Sequence, residues 1–388
     1  MSQEYSSLEK DFIIKSKKLE TLGEGTFGTV CLYDTPLGRY VVKTTKISDK
    51  SLGYPSDFLT EVDALIKFRC LNNIIKLSAV FFDGEDKKGY ILLEQMDSNL
   101  SIWSKKNSFS KRIECLPNAI KQIGGVLRIM HTFKFVHNDM KTNNILVKYQ
   151  SGETIFKLAD FGKTCYVREG SRNEYGAIEK YKPPMHTNMY SSEYWSFFVV
   201  ITEMLLGGTR MVNIGNTETF YYQYWTDNKF DLVRYLKKTL TLEEFKQIPQ
   251  IYWDISYPIT RDLSASLISV MSTLDPIDSS KIREITKTIS KSEPKHEDIN
   301  KIYNEFREYF RHIGLENYLE RFVRLLNKFI ICVKEPLDRE TLRCYAEVAY
   351  VIIAKSKAEN YNVFKNQNDF LTYQRAFITK LKFQINIL

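Results

Sequence analysis

The chain has 388 residues, 43% hydrophobic, 26% charged and 13% aromatic, and its 55 Lys plus Arg against 47 Asp plus Glu give a net charge of +8. At about 100–200 residues per domain this length predicts two or three globular units, and the apolar content excludes a disordered or collagen-like chain. The basic residues alternate with acids instead of forming a run, which argues against a nucleic-acid partner. The longest apolar stretch, Tyr194 to Gly208, is broken by Glu203 and falls short of the roughly 18 residues a membrane span needs, so no membrane partner is expected. The opening residues Met1 to Tyr5 lack the basic and apolar run of a signal peptide. Six cysteines (Cys31, Cys70, Cys115, Cys165, Cys332 and Cys344) stand far apart with no C-x-x-C pair, as suits free thiols in a reducing cytosol. A cytoplasmic location is therefore expected.

Along the chain, residues 11–50 read as short β-type runs with Gly turns, among them Gly28 to Tyr33 and Arg39 to Lys43. Phe58, Val62, Leu65 and Ile66 then recur at helical spacing, and Tyr90 to Leu93 reads as a further strand. From about residue 115 helical periods dominate, as in Ile120, Ile123, Val126, Leu127 and Met130. A strand-rich segment followed by a helix-rich one predicts an α+β chain of two lobes with a crevice between them. The polar stretch Ser290 to Asp298, with Pro294 inside it, reads as a linker, and 299–388 as almost wholly helical.

Several groups along this pattern carry chemistry. Leu22-Gly23-Glu24-Gly25-Thr26-Phe27-Gly28-Thr29-Val30 is a G-x-G-x-x-G-x-V run between apparent strands, where missing Cβ atoms let backbone N–H groups approach phosphate oxygens. Lys43 follows on an apolar strand, where an ammonium needs a carboxylate partner, and Glu61 on the Phe58 to Phe68 helix is the candidate. His137-Asn138-Asp139-Met140-Lys141-Thr142-Asn143-Asn144 supplies an Asp and, later, an Asn, bracketed by apolar strands. After a turn at Ser151-Gly152 comes Phe156-Lys157-Leu158-Ala159-Asp160-Phe161-Gly162.

These ordered motifs resemble the eukaryotic protein-kinase family over roughly residues 14–290. The resemblance implies a bilobal kinase fold, with a small β-rich lobe over about 14–96 and a larger helical lobe over about 97–290, followed by an all-α domain at 299–388. It implies that Gly23, Gly25 and Gly28, flanked by Leu22 and Val30, cover the phosphates of ATP, and that Lys43, paired with Glu61, contacts the α- and β-phosphates. Asp139 would accept the substrate hydroxyl proton, Asn144 and Asp160 would hold Mg2+, and Lys141 would neutralise the transferred group, as in the Ser/Thr members. Ile91 to Met96 resembles the segment joining the lobes, with Leu93 at the back of the adenine pocket and the backbone of Glu94 and Met96 bonding the base. The implied activity is transfer of the γ-phosphate of ATP to Ser/Thr hydroxyls of proteins.

Departures from the pattern accompany it. The family's H-R-D is His137-Asn138-Asp139, its A-P-E is Pro183-Pro184-Met185, and its Gly-Thr is Gly176-Ala177. Glu193-Tyr194-Trp195-Ser196 resembles D-x-W-S with Glu for Asp, and Asp275-Pro276 resembles a late D-P turn, after which the Arg that usually partners the A-P-E Glu is missing too, Lys281 being the nearest basic residue. Asn138, Ala177 and Met185 favour an alternative, a pseudokinase scaffold binding ATP or partners without transfer, whereas Lys43, Glu61, Asp139, Asn144 and Asp160 together argue against it. Drifted motifs and Asn/Ile/Lys-rich runs resemble kinases of large DNA viruses, which would place the chain in host cytoplasm or a virion. With Asn138 offering only a neutral group in place of the Arg, order in the loop after Asp160 is expected from elsewhere, the helical domain being the candidate. That domain resembles a cyclin box at Tyr318 to Phe322, Ile353 to Glu359 and Phe370 to Phe383, which would match Lys357 with Glu359 or Glu320 for contact with the kinase domain; a plain helical cap is the alternative.

Overall fold

The computed structural model describes residues 15–25, 28–36, 38–46, 56–83, 88–167, 176, 179–183, 187–208, 225–226, 229–274 and 279–290. The stretch 299–388, with its cyclin-box resemblance, lies outside them, as do Thr26, Phe27, Ser171, Tyr175, Ala177, Pro184, Met185, Asp275 and Pro276. The described residues fall into two compact units, one built from those up to Cys70 with Lys76–Gln95 and those from Arg283 on, the other from Leu71–Ile75 with Met96–Ile282.

The first unit is an antiparallel five-stranded sheet of β1 (Lys17–Gly25), β2 (Gly28–Thr35), β3 (Gly38–Lys46), β4 (Leu77–Asp83) and β5 (Lys88–Glu94), in the order β1-β2-β3-β5-β4. Period-2 alternation on these strands buries Val42, Ala79 and Leu92 as one cluster, with Tyr33 and Tyr90 packed on it. Helix α1 (Ser56–Lys67) joins β3 to β4 in sequence and buries Phe58, Val62 and Leu65 on one stripe, the predicted helical spacing. At Gly28, φ is +153°, and an added Cβ would lie 1.7 Å from the Thr44 carbonyl oxygen on the neighbouring strand, so only glycine fits this register.

The second unit is mainly helical. It contains β6 (Ser98–Asn99), α2 (Leu100–Lys106), α3 (Phe109–Thr132), β7 (Phe135–Val136), β8 (Ile145–Gln150), β9 (Glu153–Leu158), β10 (Cys165–Tyr166) and α4 (Met189–Leu206). After these come the β11–β12 pair (Trp225–Thr226, Lys229–Phe230), α5 (Leu232–Thr239), α6 (Leu242–Lys246), α7 (Gln250–Arg261) and α8 (Leu267–Leu274), with α9 (Ser279–Ser290) running on past the unit's edge. Helix α4 is the long apolar stretch read from the sequence. It is buried on every side, including Trp195, Phe197 and Phe198, because α2, α3 and α7 surround it; each such side chain contributes about 1.5–3 kcal/mol by leaving water. Among the described residues no helix is long and apolar enough to cross a membrane.

Two ladders set up the site. Strand β8 pairs with β9 through the turn at Ser151 (φ +52°) and Gly152 (φ +83°), two successive left-handed residues of the kind that close a two-residue hairpin. Strand β7 pairs with β10, Val136 opposite Cys165. The loop 137–144 thus starts beside β10 and ends beside β9, and the loop 159–164 runs between those same two strands. Ladders at both ends force the two loops to lie side by side.

Candidate active site

In the first unit, β3 carries Lys43 one residue beyond buried Val42, so its side chain leaves the opposite face of the strand. Its Nζ lies 2.6 Å from Glu61 Oε2 of α1, with Glu61 2% exposed. The expected partner is the one found, and a buried carboxylate of this kind is costly to leave unpaired. In the glycine run, Gly23 pairs with Val30 and Gly25 with Gly28 across β1 and β2. A Cβ on Gly23 would meet nothing within 4 Å, so packing within the described structure does not demand glycine there; Leu22 beside it is half exposed. Leu93 is buried, and the N–H of Glu94 donates to Lys76 O at 3.1 Å. That bond confines any Glu94 backbone contact with a ligand to its carbonyl. Met96, two residues on, begins the main stretch of the second unit.

In the second unit the loop 137–144 folds around Asp139. Fully buried His137 donates from Nε2 to Ala159 O at 2.9 Å, accepts the Asp139 N–H at Nδ1 at 3.3 Å, and packs edge-on against Phe161. Lys141 Nζ donates to Asp139 Oδ2 at 2.6 Å. Asn144 Nδ2 donates to the Asp139 carbonyl at 2.9 Å and to Oδ2 at 3.2 Å. Asp139, Lys141 and Asn144 thus form one bonded cluster. The second loop is tied to it by Ala159 N–H donating to Asn144 O at 2.9 Å, directly before Asp160. Asp160 holds φ +63° and ψ +67°, a left-handed conformation that costs an L-residue about 1–3 kcal/mol and persists only where the surroundings impose it. Asn144 and Asp160 offer a pair of oxygen donors, which suits Mg2+, an ion that keeps several waters and takes one or two protein oxygens beside substrate phosphates.

Four features of the site were not legible as pairs in the sequence. Glu193, fully buried on α4, accepts from the Asn138 N–H at 2.8 Å through Oε1 and from His131 Nε2 at 2.8 Å through Oε2, so one carboxylate pins the 137–144 loop to α3. Glu203, also on α4, accepts from Tyr181 OH at 2.7 Å and Lys180 Nζ at 3.2 Å, while the Tyr181 OH itself accepts the Thr142 N–H at 3.3 Å. Burial, with the Glu203 charge adding to it, raises the Tyr181 phenol well above its usual range. Lys163 Nζ lies 3.7 Å from Asp139 Oδ1.

The fourth is at Asn138, which, in the left-handed region (φ +65°), accepts the Gly176 N–H at Oδ1 at 2.5 Å and donates from Nδ2 to Lys163 O at 3.3 Å. A neutral amide can make both bonds because its targets are backbone groups, one donor and one acceptor.

A family model described as protein kinase domain matches residues 16–296, and the chain belongs to that family, whose members use ATP and Mg2+. Among curated proteins it is similar to the mimivirus protein L673 of Acanthamoeba polyphaga mimivirus, named as a serine/threonine-protein kinase, at 29% identity over 51% of this chain and 38% of that one. It is also similar to mitogen-activated protein kinase 15 of Xenopus laevis (30%, over 50% of this chain and 35% of that one) and to an Aurora kinase of Candida glabrata (29%, over 51% and 55%). The matched region thus spans between about a third and somewhat over half the length of these relatives.

Proposed function

We propose that this chain is a protein-serine/threonine kinase that moves the γ-phosphate of ATP to Ser and Thr hydroxyls of proteins. The observation that carries the reading is the Asp139 cluster, a buried carboxylate bonded by Lys141 and Asn144. Asp139 orients the substrate hydroxyl and takes its proton, and Lys141 offsets negative charge on the transferred group. Asn144 and Asp160 would hold the Mg2+, which would supply positive charge to offset that of the phosphates. Lys43, held by Glu61, binds the α- and β-phosphates, and the glycine run lets the backbone approach them. Among the described residues the thiols of Cys31 and Cys115 donate to the Thr21 and Thr154 hydroxyls, which supports work in a reducing compartment such as the cytoplasm, of a host if the gene is viral. Substrates are proteins; contact between the 299–388 segment and the kinase domain belongs to the same proposal.

The test uses the purified full chain with Mg2+, γ-labelled ATP and a generic basic protein, beside Asp139→Asn. Label on phosphoserine or phosphothreonine, lost in the variant, is the expected result. Nucleotide binding without transfer would overturn the reading in favour of a scaffold, and phosphotyrosine would overturn the substrate class.

A further inference from the structure

Lys163 has no role in the reading above, yet its ammonium sits against the transfer centre. Asp139 presents two oxygens to two different cations: Oδ2 takes Lys141 Nζ at 2.6 Å, and buried Oδ1, which has no hydrogen-bond partner among the described residues, has Lys163 Nζ at 3.7 Å. At 3.7 Å the ammonium is attracted to Oδ1 without being committed to it by a hydrogen bond. The Lys163 side chain is 46% exposed against 5% for Asp139, so it can swing while the carboxylate cannot. Its backbone, by contrast, is held. Phe161–Lys163 forms one tight helical turn, the Thr164 N–H closes it on Phe161 O at 3.0 Å, and Asn138 Nδ2 donates to Lys163 O at 3.3 Å. Two ammonium groups beside one buried carboxylate place positive charge where it suits an incoming anion.

We infer that Lys163 is a second phosphate-facing cation of the transfer step, a catalytic residue beside Lys141, with Asn138 as its positioning residue. This rests on the kinase reading above. In the step, the substrate hydroxyl oxygen bonds to the γ-phosphorus while the bond from that phosphorus to the bridging oxygen breaks. ADP departs with that electron pair, and the hydroxyl proton passes to Asp139 Oδ1. In the ATP complex the Lys163 ammonium, not hydrogen-bonded to Oδ1, turns to a non-bridging oxygen of the γ-phosphoryl group and stays on it through the transfer.

The experiment compares wild type with Lys163→Gln and Lys163→Arg, measuring kcat, and separately the affinities for ADP and for a non-hydrolysable ATP analogue by calorimetry, with melting temperatures as the fold control. Lys163→Gln should lower kcat roughly 100-fold, the order expected for removing one group aimed at developing charge. It should also weaken the ATP analogue about tenfold while leaving ADP unchanged, as removal of one charge-assisted hydrogen bond to the terminal phosphate requires. Lys163→Arg should recover most of both. A Gln variant as fast as wild type, or faster, overturns the inference, and so does equal weakening of ADP and the analogue in both variants, which marks a structural role. If the wild type itself transfers nothing, the kinase reading fails, and the ADP-against-analogue comparison still decides whether Lys163 faces the terminal phosphate.

Discussion

Shortening Glu193 by one methylene, Glu193→Asp, tests whether this carboxylate fixes the catalytic loop. It accepts two hydrogen bonds of 2.8 Å in a fully buried position, from Asn138 N–H and from His131 Nε2. One C–C bond fewer withdraws the oxygens by about 1.5 Å, so at least one bond stretches past any useful length. The abandoned buried donor costs about 1–3 kcal/mol, and the lost methylene adds about 1 kcal/mol. At about 2–4 °C per kcal/mol for a domain of this size, the melting temperature should fall roughly 5–10 °C. Because Asn138 immediately precedes Asp139, the same shift misplaces the catalytic carboxylate, and kcat should fall by about 10- to 100-fold. Glu193→Gln keeps the length and should lose less, since His131 can present a lone pair at Nε2 in its other tautomer. Thermal melts by circular dichroism and a labelled-ATP transfer assay read both effects. An Asp variant that melts within about 1 °C of wild type at undiminished kcat would refute the reasoning.

Lys43→Met and Asp160→Ala should each reduce transfer by several powers of ten with the far-ultraviolet circular dichroism spectrum unchanged; retention of more than about a tenth of the rate would contradict their roles. Asp139→Asn should lower kcat by a large factor at nearly unchanged ATP affinity, read by calorimetry beside the kinetics. Since Asn138 already bonds Lys163 O and Gly176 N–H, phosphatase-treated protein should keep its activity, whereas Asn138→Ala should lose much of it; loss on phosphatase treatment would point to a phosphate as the ordering group. Burial raises the phenols of Tyr181, Tyr194 and Tyr252, so in the folded state they keep protons that the unfolded chain releases above about pH 10. Stability should therefore be insensitive to these groups below that pH and fall above it, a loss checked by melts between about pH 8 and 11 and reduced in Tyr194→Phe.

The sequence alone was enough for the features that depend on short spacing and on what a residue type permits. An ammonium on the apolar strand at Lys43 needed a carboxylate, the helical period put Glu61 within reach, and Ser151-Gly152 between two apolar runs marked the β8–β9 turn. The glycine run was legible as a pattern, but its physical basis was divided by the structure: Gly28 is required by the Thr44 carbonyl, whereas Gly23 meets no such neighbour. Tertiary structure decided the rest. Nothing in the spacing joins His131 to Glu193, 62 positions apart, or Tyr181 to Glu203. Lys163 reaches Asp139 only because β7–β10 and β8–β9 pairing lays their loops side by side. Asn138 could be read as a missing charge, but not as a clip, since its amide finds Lys163 O and Gly176 N–H only from a left-handed backbone. Side-chain direction in loops follows from backbone angles that distant ladders impose, and those ladders are not a local property of the residues they orient.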